Sequence, residues 1–344
     1  MDTINIIVDL KKELSNREIR DVEDFIEGLG YCDVIKTIGT NELDIRFSYP
    51  RYFSQTNAYL IKSADECLEV QEDFVKILQK NPLTREAVIR IVRADVPFTF
   101  LMDKGEEFFM YKNIFKIFAE VYKCENLASD PKKIMSMLTE KDETLIYADR
   151  PDIKNYNQKI MIYNQYKKFR DKPNNRASFQ NICNEFPDLP RRIRIEYSTR
   201  VPKNRKLGKI MSLEEFKNFE VFDIFVPKAI EYILNNILNE EHIDNILRDK
   251  MYEIDERLYQ ERNNRKIDYE RFIYQNINLI VDYNVIRRAL NQIENIKTRE
   301  GAVSTVRRLT LKYEYENNTI IMDTYDKIKK IIEFFYSNPF NNQG

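Results

Sequence analysis

The sequence predicts an α+β protein, with an antiparallel sheet-rich first part that has one polar face and a mostly helical second part. Three observations lead there. Residues alternate with period two in Leu43 to Phe47, Val88 to Phe100 and Arg192 to Arg200, the mark of strands with one apolar face. Apolar residues take helical spacing from Ser212 onward. Ser15 with Glu18 and Ser212 with Glu215 form two capping boxes, each marking a helix start. The boundary is set near residue 222, giving domains 1–222 and 223–344.

In order along the chain, TINIIVDL reads as a strand and Ser15 opens a helix that Gly30 ends. Strands Val34 to Ile38 and Leu43 to Phe47 flank Gly39-Thr40-Asn41, a hairpin signal. SYPRYFSQTN reads as a loop, and Ala64 to Gln79 as a helix. On Val88 to Phe100, Val92, Ala94, Val96, Phe98 and Phe100 share one face, while Arg93, Asp95 and Thr99 share the other. Helices are expected from Glu106 to Lys123 and from Pro131, an N1 proline behind Asp130. Strands Thr144 to Tyr147 and Lys159 to Tyr163 follow, then the basic run NQYKKFRDKPNNR. Arg192 to Arg200 sends Ile193, Ile195, Tyr197 and Thr199 one way and Arg192, Arg194, Glu196, Ser198 and Arg200 the other. A helix follows Ser212, and further helices run from Pro227 to Asn239, Ile243 to Arg262, Asp268 to Asp282 and Val285 to Lys297. A hairpin of Arg308 to Glu314 with Thr319 to Met322 and a last helix from Tyr325 to Tyr336 close the chain. With Arg307, Arg308 and Lys312, that hairpin is compatible with a winged-helix arrangement; a helical support domain with ordinary surface charge fits as well.

Composition narrows the chemistry. Charged residues make up 32% and hydrophobic residues 43%, a balance that predicts a folded chain rather than a disordered one. The net charge is −1, so any nucleic-acid surface must be a local patch. His242 is the only histidine, which excludes an HExxH zinc protease and any metal held by two histidines. It falls in a charged helical run, where a solvated face is the expected place. Cys32, Cys67, Cys124 and Cys183 form no CxxC pair and read as reduced thiols, placing the chain in the cytoplasm without a zinc site. No Walker loop or GxGxxG is present among only seven glycines, against a nucleotide-dependent enzyme. Apolar runs fall short of a membrane span, and no membrane partner is expected.

Two strands carry acids among bases on a polar face: Arg93 and Asp95 on one, Arg192, Arg194, Glu196 and Arg200 on the other. Arginines there can hold phosphates through paired N–H groups, and acids can hold a metal. Cross-strand salt bridges on a solvated face are the plainer reading of the same pattern. The ordered set RIVRADVPFTF, ETLIYADRPDIKNYNQKIMIYNQYKKF and RIRIEYSTRV, followed by a capped helix, resembles the replication initiators of rolling-circle plasmids, with related phage initiators and conjugative-element relaxases. The resemblance covers about residues 40–220: Asp95 matches the first acid, Ile162-Tyr163-Asn164 the middle motif, and Arg194 with Glu196 the last.

That resemblance implies a nicking-type domain that binds an origin of DNA replication, with Arg93, Arg192, Arg194, Arg200, Lys167 and Lys168 on the DNA. It implies Asp95 and Glu196 as ligands of Mg²⁺ or Mn²⁺ if the protein is catalytic, and a tyrosine that attacks the phosphodiester as an endonuclease. Gln165 stands where the pattern carries a basic residue. The helix after the R-x-E strand, where the nucleophile is expected, holds Phe216, Phe219 and Phe222 and no tyrosine. The catalytic residue is therefore unassigned, with Tyr163 and Tyr166 the nearest candidates and Tyr197 and Tyr232 more remote. Two other readings stand beside it: a non-catalytic DNA-binding protein for copy control, segregation or regulation, and a protein-interaction module. A homo-oligomer is compatible with each.

Overall fold

A computed structural model describes residues 1–54, 56–104, 108–111, 114–115, 136–139, 144–149, 156–171, 176–203, 206–264, 266–276, 280, 283–317 and 324–337. The fold is α+β. The chain divides into two compact units, one of residues 1–101, 132–233 and 338–344, the other of 102–131 and 234–337. The division falls eleven residues beyond the boundary read from sequence, inside a helix, and the stretch after residue 101 belongs with the helical unit.

The first unit is built on an antiparallel sheet. Its strands are β1 (Thr3–Asp9), β2 (Cys32–Ile38), β3 (Glu42–Ser48), β4 (Val88–Leu101), β5 (Ser136–Thr139), β6 (Thr144–Ala148), β7 (Gln158–Asn164) and β8 (Arg192–Arg200), in the order β2-β3-β1-β4-β8-β7-β6-β5. The short β9 (Met211–Ser212) pairs with β4. Its helices are α1 (Asn16–Glu27), α2 (Tyr49–Ser54), α3 (Ala64–Lys80), α4 (Gln165–Arg170), α5 (Arg176–Glu185), α6 (Leu213–Lys217) and most of α7 (Val221–Asn236).

Local chemistry explains most of these elements. Both capping boxes form as read, Ser15 with Glu18 and Ser212 with Glu215. Helix α1 stops at Glu27 with Gly28 as its cap, and Gly30 takes the turn that follows at φ +75°. Gly39 makes the β2–β3 hairpin turn at φ +63°. The segment read as a loop at Tyr49–Ser54 is a turn and a half of helix, which Pro50 permits because it lies in the first turn. The helix expected from Pro131 begins outside the described residues, and Ser136–Thr139 within it is strand β5. Most of the helix expected from Glu106 also lies outside them; Phe108–Tyr111 is a 3₁₀ turn.

The apolar sheet face makes the core. Ile4, Phe47, Ala94, Val96, Ile195 and Tyr197 are buried along it. Phe74 of α3 and Phe216 of α6 meet Phe47 at centroid distances of 5.0 and 6.2 Å. Gln71 ties the two helices together, its amide donating to the carbonyls of Phe216 (2.7 Å) and Phe219 (2.9 Å) while its oxygen accepts from Tyr49.

The second unit carries α8 (Glu240–Asn264), α9 (Tyr269–Gln275), α10 (Tyr283–Leu290), α11 (Ile296–Asn317) and α12 (Thr324–Tyr336). The hairpin expected at Arg308 to Glu314 is part of α11, so the winged-helix reading loses the first strand of its wing; residues 318–323 lie outside the described residues. Among the described residues no helix is long and apolar enough to cross a membrane.

Candidate functional site

The register puts polar residues of four strands on one face. Thr3 of β1 lies opposite Asp95 of β4, Asp95 opposite Ser198 of β8, and Arg194 opposite Tyr163 of β7. Residues directly opposite in a ladder share a face. Arg93 and Arg200 are direct partners, so the four arginines share one face of the neighbouring strands β4 and β8, but Arg192 and Arg194 are buried there in intramolecular pairs and Arg93 is paired with Asp95, against the expectation of an open DNA-binding row.

The face is not wet, as the simplest reading of an antiparallel sheet would have it. The chain at Asn57–Ala58 and helices α4 and α5 roof it, with Ala58, Phe169, Ile182 and Leu189 packed into a small apolar cluster. Arg192 is spent on that roof. Its Nε and Nη2 donate to Asp188 (2.8 and 2.9 Å) and its Nη1 to the Ala58 carbonyl. All three nitrogens serve the fold, so Arg192 acts as a brace and not as an open phosphate contact. Tyr166 packs on Phe179 in the same roof, at 5.2 Å between centroids. Lys167 is half-buried on α4, whereas Arg200 is exposed with its guanidinium 5.1 Å from the Tyr156 ring.

Between roof and sheet lies a cavity of about 220 Å³ lined by Asp2, Arg93, Asp95, Tyr163, Arg194 and Glu196. Two exposed bases, Arg46 and Lys168, also reach it. Arg194 is 1% exposed; its Nη1 donates to the Asn57 carbonyl at 2.7 Å and its Nη2 lies 2.8 Å from Asp2. The Tyr163 hydroxyl donates to Glu196 Oε2 at 3.0 Å, and Lys168 Nζ sits 3.8 Å from the centre of the Tyr163 ring. The Gln165 amide donates to the Asn57 carbonyl at 3.1 Å, so the residue standing in the basic position anchors the roof.

Burial sets the protonation of this cluster. It pushes Asp95 up to about 6, with Arg93 opposing and the negative Glu196 adding to the rise. Burial would raise Glu196 too, but Lys168, Arg194 and the Tyr163 hydroxyl outweigh it and hold this carboxyl below its usual range. Burial and then the Glu196 charge drive the Tyr163 phenol well above its ordinary value, so the phenol keeps its proton in the resting site.

Asp95 and Glu196 stand diagonally across β4 and β8, a geometry in which side chains reach one another. Their donor set does not suit Mg²⁺ or Mn²⁺ as arranged. Arg93 Nε and Nη2 each donate to one Asp95 oxygen at 2.8 Å, Glu196 already accepts from Tyr163, and Arg194 and Lys168 add positive charge. Among the described residues no three acid, histidine or cysteine side chains gather as a metal cluster.

The raised Asp95 makes a testable statement about pH. The folded protein holds a proton there between 3.8 and about 6 that the unfolded chain releases, so this contribution to stability is complete below that window and declines as pH rises through it. Asp95→Asn, neutral throughout, is expected to match the native protein near pH 4 and to exceed it by about 1–3 kcal/mol above pH 7. Urea denaturation across pH 4–8 measures this; a parallel pair of profiles would remove Asp95 from the account.

Sequence reading missed Asp2 and Asn57 and noted Gln165 only as a departure from the pattern; all three line the cavity. Comparison with protein-family models, curated proteins and solved structures gives no match to this chain.

Proposed function

We propose that this chain is a DNA-binding protein of the replication-initiator type, from a plasmid, phage or integrated element, acting in the cytoplasm and nicking one origin strand through Tyr163. One observation carries the reading: three motifs far apart in sequence, with Arg93 and Asp95, Tyr163, and Arg194 and Glu196, meet in a single cavity on the adjacent strands β4, β8 and β7. A hydroxyl held by a carboxylate and surrounded by guanidinium and ammonium groups is the arrangement a phosphoryl transfer needs. In this reading Tyr163 Oη attacks the phosphorus, its proton passes to Glu196, and the 3′ oxygen departs, taking a proton from solvent. Arg93, Arg194 and Lys168 offset the charge that builds on the phosphate oxygens. No step is assigned to a metal. Exposed Arg200 and half-buried Lys167 supply backbone contacts further along the strand, and a second copy on a repeated origin is compatible with the sheet.

The test is to incubate the protein with a supercoiled plasmid carrying its own origin, with Mn²⁺, with Mg²⁺ and with chelator. Relaxed circles and a covalent protein–DNA adduct are expected, and Tyr163→Phe should abolish the adduct while leaving binding nearly unchanged. The variant also leaves Glu196 without its buried donor, at a cost of about 1–3 kcal/mol, so folding is to be followed alongside. An adduct that survives in Tyr163→Phe removes Tyr163 from the role.

A second reading is favoured by the closure of the site, with Tyr163 4% exposed and Arg194 1% exposed. Binding of the correct origin without any adduct would leave a non-catalytic DNA-binding protein for copy control, segregation or regulation.

A further inference from the structure

We propose that Asp2 is an internal anion seated in an oxyanion subsite of the cavity, and that a phosphate group binds by replacing the Asp2 carboxylate on Arg194. The inference deepens the reading above, since it names what holds the phosphate site shut.

The guanidinium of Arg194 carries it. Among the described residues Arg194 is the largest side chain that the fold buries almost completely, and one of its nitrogens, Nη1, is committed to the Asn57 carbonyl. The Nε–Nη2 edge is the planar fork that matches a carboxylate or a phosphate through two parallel bonds. Here that edge is badly served. Nη2 is ion-paired to Asp2 Oδ2 at 2.8 Å but off the line of its N–H, and Nε, 3.9 Å from Glu196, donates to no acceptor. Asp2 Oδ1 is buried with no donor. A carboxylate of the right charge is present in the wrong geometry, which is how a stand-in differs from the group a site is shaped to hold.

Charge points the same way. The cavity is lined by four bases, Arg46, Arg93, Lys168 and Arg194, against the three acids Asp2, Asp95 and Glu196. Moving Asp2 away leaves four against two, an excess that an oxyanion would meet. Burial disfavours the charged form of Asp2 more than Arg194 restores it, so the carboxylate is weakly held. The exchange asks little of the backbone. Asp2 is fixed at both ends of its peptide, N–H to the Asp95 carbonyl and carbonyl to the Tyr49 N–H, each at 3.0 Å. With the backbone held, the proposal requires only the Asp2 side chain to rotate off the fork.

Two sources share this chemistry, free phosphate and the diester of a DNA strand, and the probes separate them. Inorganic phosphate and a thymidine dinucleotide are to be titrated into the full chain, with affinity read by calorimetry and the Arg194 guanidinium followed by nitrogen NMR. Both probes should shift the Arg194 Nε signal. Asp2→Asn should bind each about tenfold more tightly, because a competitor that occupies the site most of the time is gone. Arg194→Lys should lose the binding. Asp33→Asn, an acid paired with Arg51 outside the cavity, should leave affinity unchanged.

An unmoved Arg194 signal in the native protein at saturating probe, or equal affinities for native and Asp2→Asn proteins, would overturn the proposal. If Asp2→Asn does not fold, the signal in the native protein decides alone. DNA nicking enters none of these readouts. Phosphate binding with no adduct on origin DNA leaves the subsite standing and removes the nicking enzyme; an adduct with no effect of Asp2→Asn does the reverse.

Discussion

Arg194→Ala is expected to cost about 3–5 kcal/mol of folding stability, the usual toll for removing one partner from a buried charge cluster. The guanidinium lies 2.8 Å from Asp2 and sits beside Glu196, and all three side chains are almost wholly enclosed. Without it, two carboxylates are left facing each other in a medium that solvates them poorly. The loss should shrink when Asp2→Ala is added, because the orphaned charge is then removed with its partner. Urea denaturation of the first unit's transition, read as a double-mutant cycle among Asp2 and Arg194, measures both numbers. A single-mutant loss below about 1 kcal/mol, the range of surface ion pairs, would mean that the cluster is far wetter than its burial implies.

Phe216→Ala is the second large effect, expected at about 3–5 kcal/mol because a fully buried aromatic leaves a cavity that the sheet cannot close. Phe216 has no exposed surface and sits among Phe47 and Phe74, with Gln71 clamped onto its carbonyl. Phe216→Tyr is the sharper control. It adds a hydroxyl to an apolar site and should cost about 1–3 kcal/mol without giving any DNA adduct. Melting temperature and the adduct assay report on the two halves of that statement. If Phe216→Tyr is neutral and creates adduct-forming activity, the position belongs to the site after all and the assignment to the core is mistaken.

The Phe216 case illustrates what a motif can and cannot carry. The resemblance to replication initiators made this helix the expected seat of a nucleophile, and the absence of tyrosine there left the role empty. The fold turns α6 onto the apolar sheet face, away from the cavity that Tyr163 lines from β7. A tyrosine next to the site was visible in the sequence; its hydrogen bond to Glu196, a residue 33 positions away, was not.

Local patterns by themselves determined the elements whose signals agree at every level. Strands β3, β4 and β8 follow from period-two alternation, α1 and α6 from their capping boxes, and the β2–β3 turn from Gly39. Opposite sheet faces of Arg192 to Arg200 were legible because successive side chains must point to opposite sides. Tertiary structure decided the rest. Arg308 to Glu314 alternates as a strand would, yet Ala302, Val306 and Leu309 are buried at helical spacing while Leu311 stays 57% exposed, so packing selected the helix. Tertiary structure also decided that the centre of the polar face is covered. Alternation tells which side chains share a face, but solvent is excluded only by what lies over it, and that roof comes from Asn57–Ala58 and α4, brought there by the chain's path. The same path delivers Asp2 to Arg194 across 192 residues of sequence, a pairing that no local spacing can encode because its cause is strand order.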